Sequence, residues 1–238
     1  MVEGFDLKCE VMSGSWTFVL GIESCNAQNV NISSRNETIT SVNGRTGPTS
    51  MQGLRIYEQT VHYSPKGIDK FFPNLKVLTI WSSKLKSLTQ DDLKLLTQLE
   101  YVRFYDNDLE SLDGDLFEFN PKLKYIDFES NKIKYVGENL FNNLNHLQRV
   151  EFQNNYCTNE DPQSSSAIPA LIQKLISSCR FPSELIKKNE TMEEEIAEIK
   201  NMINQKVMEM ISVILALKAE NTRLANLLKD HETKYNNA

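Results

Sequence analysis

Apolar residues fall on a fixed grid through the middle of the chain. Leu75, Leu99, Leu123 and Leu147 each open a segment of the form L-x-x-L-x-L-x-x-N-x-L, and each lies 24 residues after the last. Met51 opens a degenerate first copy. The segments read MQGLRIYEQTV, LKVLTIWSSKL, LEYVRFYDNDL, LKYIDFESNKI and LQRVEFQNNYC, with Gln59, Ser83, Asn107, Asn131 and Asn155 at the ninth position. Positions one, four and six alternate as a short strand does, which sends them to one face and leaves two, three, five, seven and eight outside. One copy cannot bury that face alone, whereas stacked neighbours can. The pattern therefore predicts a solenoid whose stability sums over repeats and their interfaces. Leu85, Leu88, Leu93 and Leu96, then Leu109, Leu112, Leu116 and Phe117, then Ile133, Val136, Leu140, Phe141 and Leu144 fill the back of each turn as core. The ninth-position amide sits where the strand turns away and can donate to and accept from backbone groups left unpaired there, a ladder that Ser83 and Gln59 weaken.

The flanks differ from this grid. Residues 1–50 read as an amino-terminal cap: Trp16, Phe18, Leu20 and Ile22 alternate as a strand, and Val30 with Ile32 lies 24 residues before Leu54 and Ile56, so the cap follows the repeat. Residues 51–157 are the repeats. Over residues 158–181, Ser166 can cap a short helix in which Ile168, Leu171, Ile172, Leu175, Ile176 and Cys179 share a face that closes the last repeat. Over residues 182–235 glycine disappears and apolar residues space at three and four. Ile203, Met210, Leu217 and Leu224 at d, with Val207, Ile214, Asn221 and Leu228 at a, predict a coiled coil. A helix of about 50 residues extends ~75 Å, against ~20 Å for five stacked strands, so its stripe needs a partner helix. Asn221 paired with an equivalent Asn fixes a parallel two-stranded register. Ile211, Val213 and Leu215 widen the stripe beyond a and d, which suits a larger bundle, a heterologous partner or a break in the helix.

The repeated segments resemble the leucine-rich-repeat family. The resemblance implies an α/β solenoid: a short stack of about five 24-residue repeats between caps, followed here by the long carboxy-terminal helix. Extracellular members of that family often staple their caps with disulfides. The four cysteines, Cys9, Cys25, Cys157 and Cys179, fall as one pair before the repeats and one pair after them. Three connectivities are open, and pairing Cys9 with Cys25 and Cys157 with Cys179 is the most economical. A zinc site is disfavoured because no C-x-x-C spacing occurs and His62, His146 and His231 are scattered, so no metal is expected. Asn31, Asn36 and Asn189 each open an N-x-[ST] sequon outside the repeats. With the paired cysteines they favour a secreted glycoprotein whose signal peptide has been removed.

Composition narrows the function. A net charge of −6 with interspersed signs gives no basic footprint for nucleic acid. Glu190, Glu193, Glu194, Glu195 and Glu198 precede the heptads where a DNA-reading zipper would carry basic residues. No apolar run approaches the roughly 20 residues that span a bilayer. Arg45-Thr46-Gly47-Pro48 lacks the spacing and lysine of a phosphate-binding loop, so no cofactor is expected, and no Ser, His and acid group as a catalytic set.

Binding is therefore expected on the concave strand face. Columns of equivalent positions place Tyr57, Trp81, Tyr101, Tyr105 and Tyr125 in one aromatic patch, framed by Arg103 and Arg55. Aromatic residues and arginine are enriched at protein interfaces; aromatic residues are also good strand formers that cover one another across neighbouring strands, and both readings stand at this point. Asp106, Asp127, Glu129 and Glu151 make a more acidic far end, read as a solvated face. These features predict a secreted, non-enzymatic module that binds a protein and forms homo- or hetero-oligomers through its coil. The order of cap, short solenoid, cysteine-stapled end and coil also looks like the leucine-rich-repeat immune proteins of mosquitoes and related insects. That resemblance implies a circulating dimer whose partners are complement-like thioester proteins or pathogen surfaces. The chain departs from it in having few repeats and no spare cysteine for an interchain bridge. The alternatives are a structural protein in which the coil is the working part, and a secreted effector or inhibitor of another protein.

Overall fold

A computed structural model describes residues 4–16, 19–160, 162, 164–180 and 183–236. The elements are β1 (Gly4–Trp16), β2 (Val19–Gln28), β3 (Asn31–Ile32), β4 (Thr38–Val42), β5 (Gly53–Tyr57), β6 (Thr60–Val61), α1 (Ile68–Phe71), β7 (Val77–Trp81), α2 (Gln90–Leu93), β8 (Tyr101–Arg103), β9 (Ser111–Leu112), β10 (Tyr125–Asp127), β11 (Tyr135–Val136), β12 (Arg149–Glu151), α3 (Ile168–Ser178) and α4 (Ser183–Asn236). They form two compact units, Met1–Phe181 and Pro182–Ala238.

One sheet organises the first unit, in the order β12-β10-β8-β7-β5-β2-β1-β4. Gly53, Val77, Tyr101, Tyr125 and Arg149 pair in parallel from strand to strand, each 24 residues after the last. The sequence period is thus the sheet register. Apolar residues at positions one and four enter the core, Leu147 only in part, with Ile56, Ile80, Phe104, Phe128 and Phe152 at position six; Phe104 stacks on Phe128 at 5.4 Å and Phe152 meets Phe128 tilted at 5.3 Å. Each strand then bends away through a left-handed residue at position eight: Glu58, Ser82, Asp106, Ser130 and Asn154 have φ of 53°, 49°, 54°, 57° and 56°.

The ninth-position ladder runs unbroken through these turns. Asn107 Oδ1 accepts from the amides of Ser83 and Leu85, Asn131 from Leu109, and Asn155 from Ile133. Ser83 and Gln59 take part as well: Gln59 N donates to Ser83 Oγ at 3.3 Å, and Val30 N donates to Gln59 Oε1 at 2.9 Å. The last of these bonds corrects the register expected for the cap. Cys25 lies opposite Leu54 and Asn31 opposite Thr60, an offset of 29 residues, so Cys25, and not Val30, fills the slot of Leu54. The first turn is longer because it carries β4 out to pair with β1.

Cystines close both ends, Cys9 with Cys25 and Cys157 with Cys179. At the second end Ile168, Leu171, Leu175 and Cys179 are buried on α3, and Val136 N donates to the carbonyl of Cys179. In the second unit α4 is one helix of 54 residues. No helix among the described residues is long and apolar enough to cross a membrane.

Candidate binding face

The outer face of the sheet presents three rows of side chains, from positions three, five and seven. Row three runs Ser24, Gly53, Val77, Tyr101, Tyr125, Arg149, and row five runs Asn26, Arg55, Thr79, Arg103, Asp127, Glu151. Row seven continues as Tyr57, Trp81, Tyr105, Glu129 and Gln153.

Row three is covered from Ser24 to Tyr125, and Arg149 at its end is exposed. The hairpin of β1 and β2 returns over it, and Val19 and Ile22 pack with Val77, Tyr101 and Tyr125 in one buried cluster. The two tyrosine rings stack 4.2 Å apart and are only 5% and 6% exposed. Tyr101 and Tyr125 therefore face the hairpin, not an open patch. Gly53 permits the approach, since a Cβ there would lie 2.1 Å from Ser24 Oγ and 3.3 Å from Ile22 Cδ1. Gly21, at φ +63°, interrupts the strand alternation expected of Trp16, Phe18, Leu20 and Ile22. Val19 and Ile22 consequently point inward while Leu20 is exposed. Phe18 and the side chain of Trp16 lie outside the described residues.

Rows five and seven interleave beside the hairpin. Tyr57 stacks on Trp81 with centroids 5.2 Å apart, and Trp81 meets Tyr105 at 6.4 Å. The Arg55 guanidinium lies 5.0 Å from the Tyr57 ring centre and 5.7 Å from that of Trp81; Arg103 lies 5.4 Å from Trp81 and 4.8 Å from Tyr105. Each contact of this kind contributes about 0.5–1 kcal/mol at a partly exposed site and holds both partners in one geometry. All five side chains are half-buried. Thr79, between the two arginines, is fully buried, and its Oγ1 has no hydrogen-bond partner among the described residues.

At the far end Asp106 is exposed as expected of a solvated acidic face, whereas Asp127 and Glu151, with the half-buried Glu129, form a buried charge cluster. Asp127 is fully buried and Glu151 nearly so. Arg103 Nε lies 2.9 Å from Asp127 Oδ2, and Arg149 Nε lies 2.5 Å from Glu151 Oε1. The Tyr125 hydroxyl donates to Glu151 and sits 3.4 Å from Asp127, whose other oxygen accepts from the Glu129 amide. Carboxylate oxygens of Asp127, Glu129 and Glu151 lie within 4.8 Å of one another. Burial is the main reason that the Asp127 carboxyl is pushed up to about 7; Glu151 adds to the shift, while the Glu129 amide and Arg103 oppose it. Burial likewise raises the Tyr101 and Tyr125 hydroxyls above their usual range. This network was not foreseen. Its signal was present in row five, where Arg103 and Asp127 fall on adjacent strands ~4.8 Å apart.

The remaining expected site residues stand as follows. Asn31 and Asn36 are exposed; Asn189 lies in α4, its side chain outside the described residues. Ile203, Val207, Met210, Ile214, Leu217, Asn221, Leu224 and Leu228 all lie on α4 and are exposed in the single chain, as are Ile211, Val213 and Leu215.

Comparison with known proteins agrees with the repeat reading. The leucine-rich-repeat family model matches residues 73–133 and 97–157. Among solved structures the chain is similar to a chain of the Toll–Spatzle complex, a molecular hub in Drosophila development and innate immunity, at 26% identity and a TM-score of 0.42. The match covers 45% of this chain and 14% of that one. No curated protein matches the chain.

Proposed function

We propose that this chain is a secreted, non-enzymatic protein-binding module that meets its partner through the strip formed by Tyr57, Trp81, Arg103 and Tyr105 with Arg55, and that it oligomerises through α4. The strip itself carries the reading. Three aromatic rings and two guanidinium groups hold one another in place and remain half-exposed. Pre-ordered aromatic and arginine side chains are what hot spots in protein interfaces are made of, because little side-chain entropy is lost on contact. The two cystines and the exposed sequon residues Asn31 and Asn36 support an extracellular setting. A role in innate immune recognition, with complement-like partners, rests on architectural resemblance. Trp81→Ala and Tyr105→Ala test the contact: partner capture is lost while circular dichroism and melting stay near wild type. Capture unchanged in both variants refutes it.

The heptad residues of α4 support multivalency. Val207 and Ile214 at a, with Leu217 and Leu224 at d, are the combination that favours two parallel strands, with Asn221 setting register. Joining two faces raises avidity roughly a hundredfold on a repetitive target. The length of that exposed seam also favours a second reading, an assembly protein in which α4 is the working part. Light scattering of the full chain beside one ending at Phe181 decides whether α4 assembles at all. Two monomers refute both coil roles.

A further inference from the structure

We propose, building on that contact reading, that the strip takes a carboxylate-bearing segment of its partner and that a proton taken up at the buried Asp127 carboxyl controls the grip, by releasing Arg103 from Asp127 to the partner. Arg103 stands at the junction of two systems. Its guanidinium lies over Trp81 and Tyr105, on the strip, while its Nε lies 2.9 Å from Asp127 Oδ2, in the buried cluster. The charge of Asp127 therefore decides how much of the Arg103 charge is available outward.

The groups facing Asp127 can be named from every packed element. β8 contributes Tyr101 and Arg103, and β12 contributes Arg149 and Glu151. Its own strand and turn contribute Tyr125 and Glu129, and among the described residues of the hairpin the uncharged Val19 and Ile22 lie on the adjoining row. Three carboxylates whose oxygens lie within 4.8 Å thus meet two guanidiniums. Like charges so close to one fully buried carboxyl disfavour its ionisation, and Asp127 is the group that takes up the proton. The upward shift of Asp127 to about 7 agrees with this geometry.

A protonated Asp127 no longer neutralises Arg103. Held over Trp81 and Tyr105, the guanidinium has N–H groups to offer a second carboxylate, the group it matches in a two-point fork. Arg55 sits in the same row two strands away, ~9.6 Å, so an acidic segment can engage both.

The test uses the full chain. The protein has two tryptophans, so a Trp81→Phe control isolates the Trp81 signal. Its fluorescence follows a single transition with a midpoint near 7 between pH 5.5 and 8.5 in the wild type. The transition is absent from Asp127→Asn and moves to lower pH in Glu151→Gln, which removes the like charge but keeps the shape. A hexaglutamate peptide binds three- to tenfold more tightly at pH 6 than at pH 8, about ten being the ceiling when only the protonated form binds. In Asp127→Asn binding is equally tight at both values, and in Arg103→Gln it is weak at both. A flat trace, a transition that persists in Asp127→Asn, or equal wild-type affinity at pH 6 and 8 overturns the proposal. None of these results bears on the Trp81 and Tyr105 capture assay, so a failed switch and a failed contact face are separable.

Discussion

Replacing Asn107 by alanine removes the rung at the centre of the ninth-position ladder. Its Oδ1 accepts from Ser83 N at 3.1 Å and Leu85 N at 2.9 Å, and its Nδ2 donates to the carbonyls of Ile80, Phe104 and Tyr105 at 2.8, 3.1 and 3.1 Å. The side chain is 7% exposed, so water cannot readily replace it. Alanine leaves two amide groups with no acceptor, each costing about 1–3 kcal/mol, and the expected loss is about 3–4 kcal/mol. For a unit of this size that lowers Tm by about 10 °C. Ser83→Ala is the internal control. It loses the bond from Ser83 Oγ to the Trp81 carbonyl and the 3.3 Å bond from Gln59 N, and costs about 1 kcal/mol. Urea unfolding followed by circular dichroism, with the cystines intact, measures both. Asn107→Ala costing under 1 kcal/mol at an unchanged m value would refute the reasoning.

Stability should also respond to pH through Asp127. Its folded pKa, near 7, exceeds the 3.8 of an unperturbed aspartate, so the native state binds the proton more tightly and loses stability as pH rises from about 4 to about 7; Tm therefore falls between pH 5 and 7.5, and this fall vanishes in Asp127→Asn. Asp6, held near 2 chiefly by its hydrogen bond from Lys8 and also by Ser41 and Gly44, has the opposite dependence, lost only as pH falls from 3.8 through 2, outside that window. Gly53→Val places its Cβ 2.1 Å from Ser24 Oγ and forces the hairpin off row three. Faster hydrogen exchange in β2 and a loss of about 1–3 kcal/mol are expected. Glu58→Asn relieves a left-handed residue without adding backbone freedom and raises stability by a few tenths to about 1 kcal/mol in the same urea assay.

The strand register was legible because it is written as a spacing: once Leu75, Leu99, Leu123 and Leu147 align, every row of the sheet follows. The cap was only half legible. Its apolar residues mark a strand, but Gly21 breaks their alternation, and the offset of 29 arises from β4 leaving the turn to pair with β1, a tertiary event with no local signature. The same holds for the face. Tyr101 and Tyr125 sit in columns identical in pattern to Tyr57 and Tyr105, and what separates buried from open is a hairpin bent at Gly21 and seated against Gly53. The charge cluster escaped notice for a related reason. Row five was read along the chain as charges on an outer face, whereas its physics lies across strands.

Stacks held together mainly by nearest neighbours ordinarily peel from whichever terminal layer is loosest. Here a covalent link lies near each rim, Cys9 on β1 to Cys25 on β2 at one and Cys157, just after β12, to Cys179 at the other. Peeling is blocked, and the weakest seam moves inward to the thin rung between Gln59 and Ser83. Breathing of this molecule would thus begin beneath Trp81, at the contact strip itself, and a bound partner would act as a clamp across the thinnest of the seams that its own cystines leave unguarded.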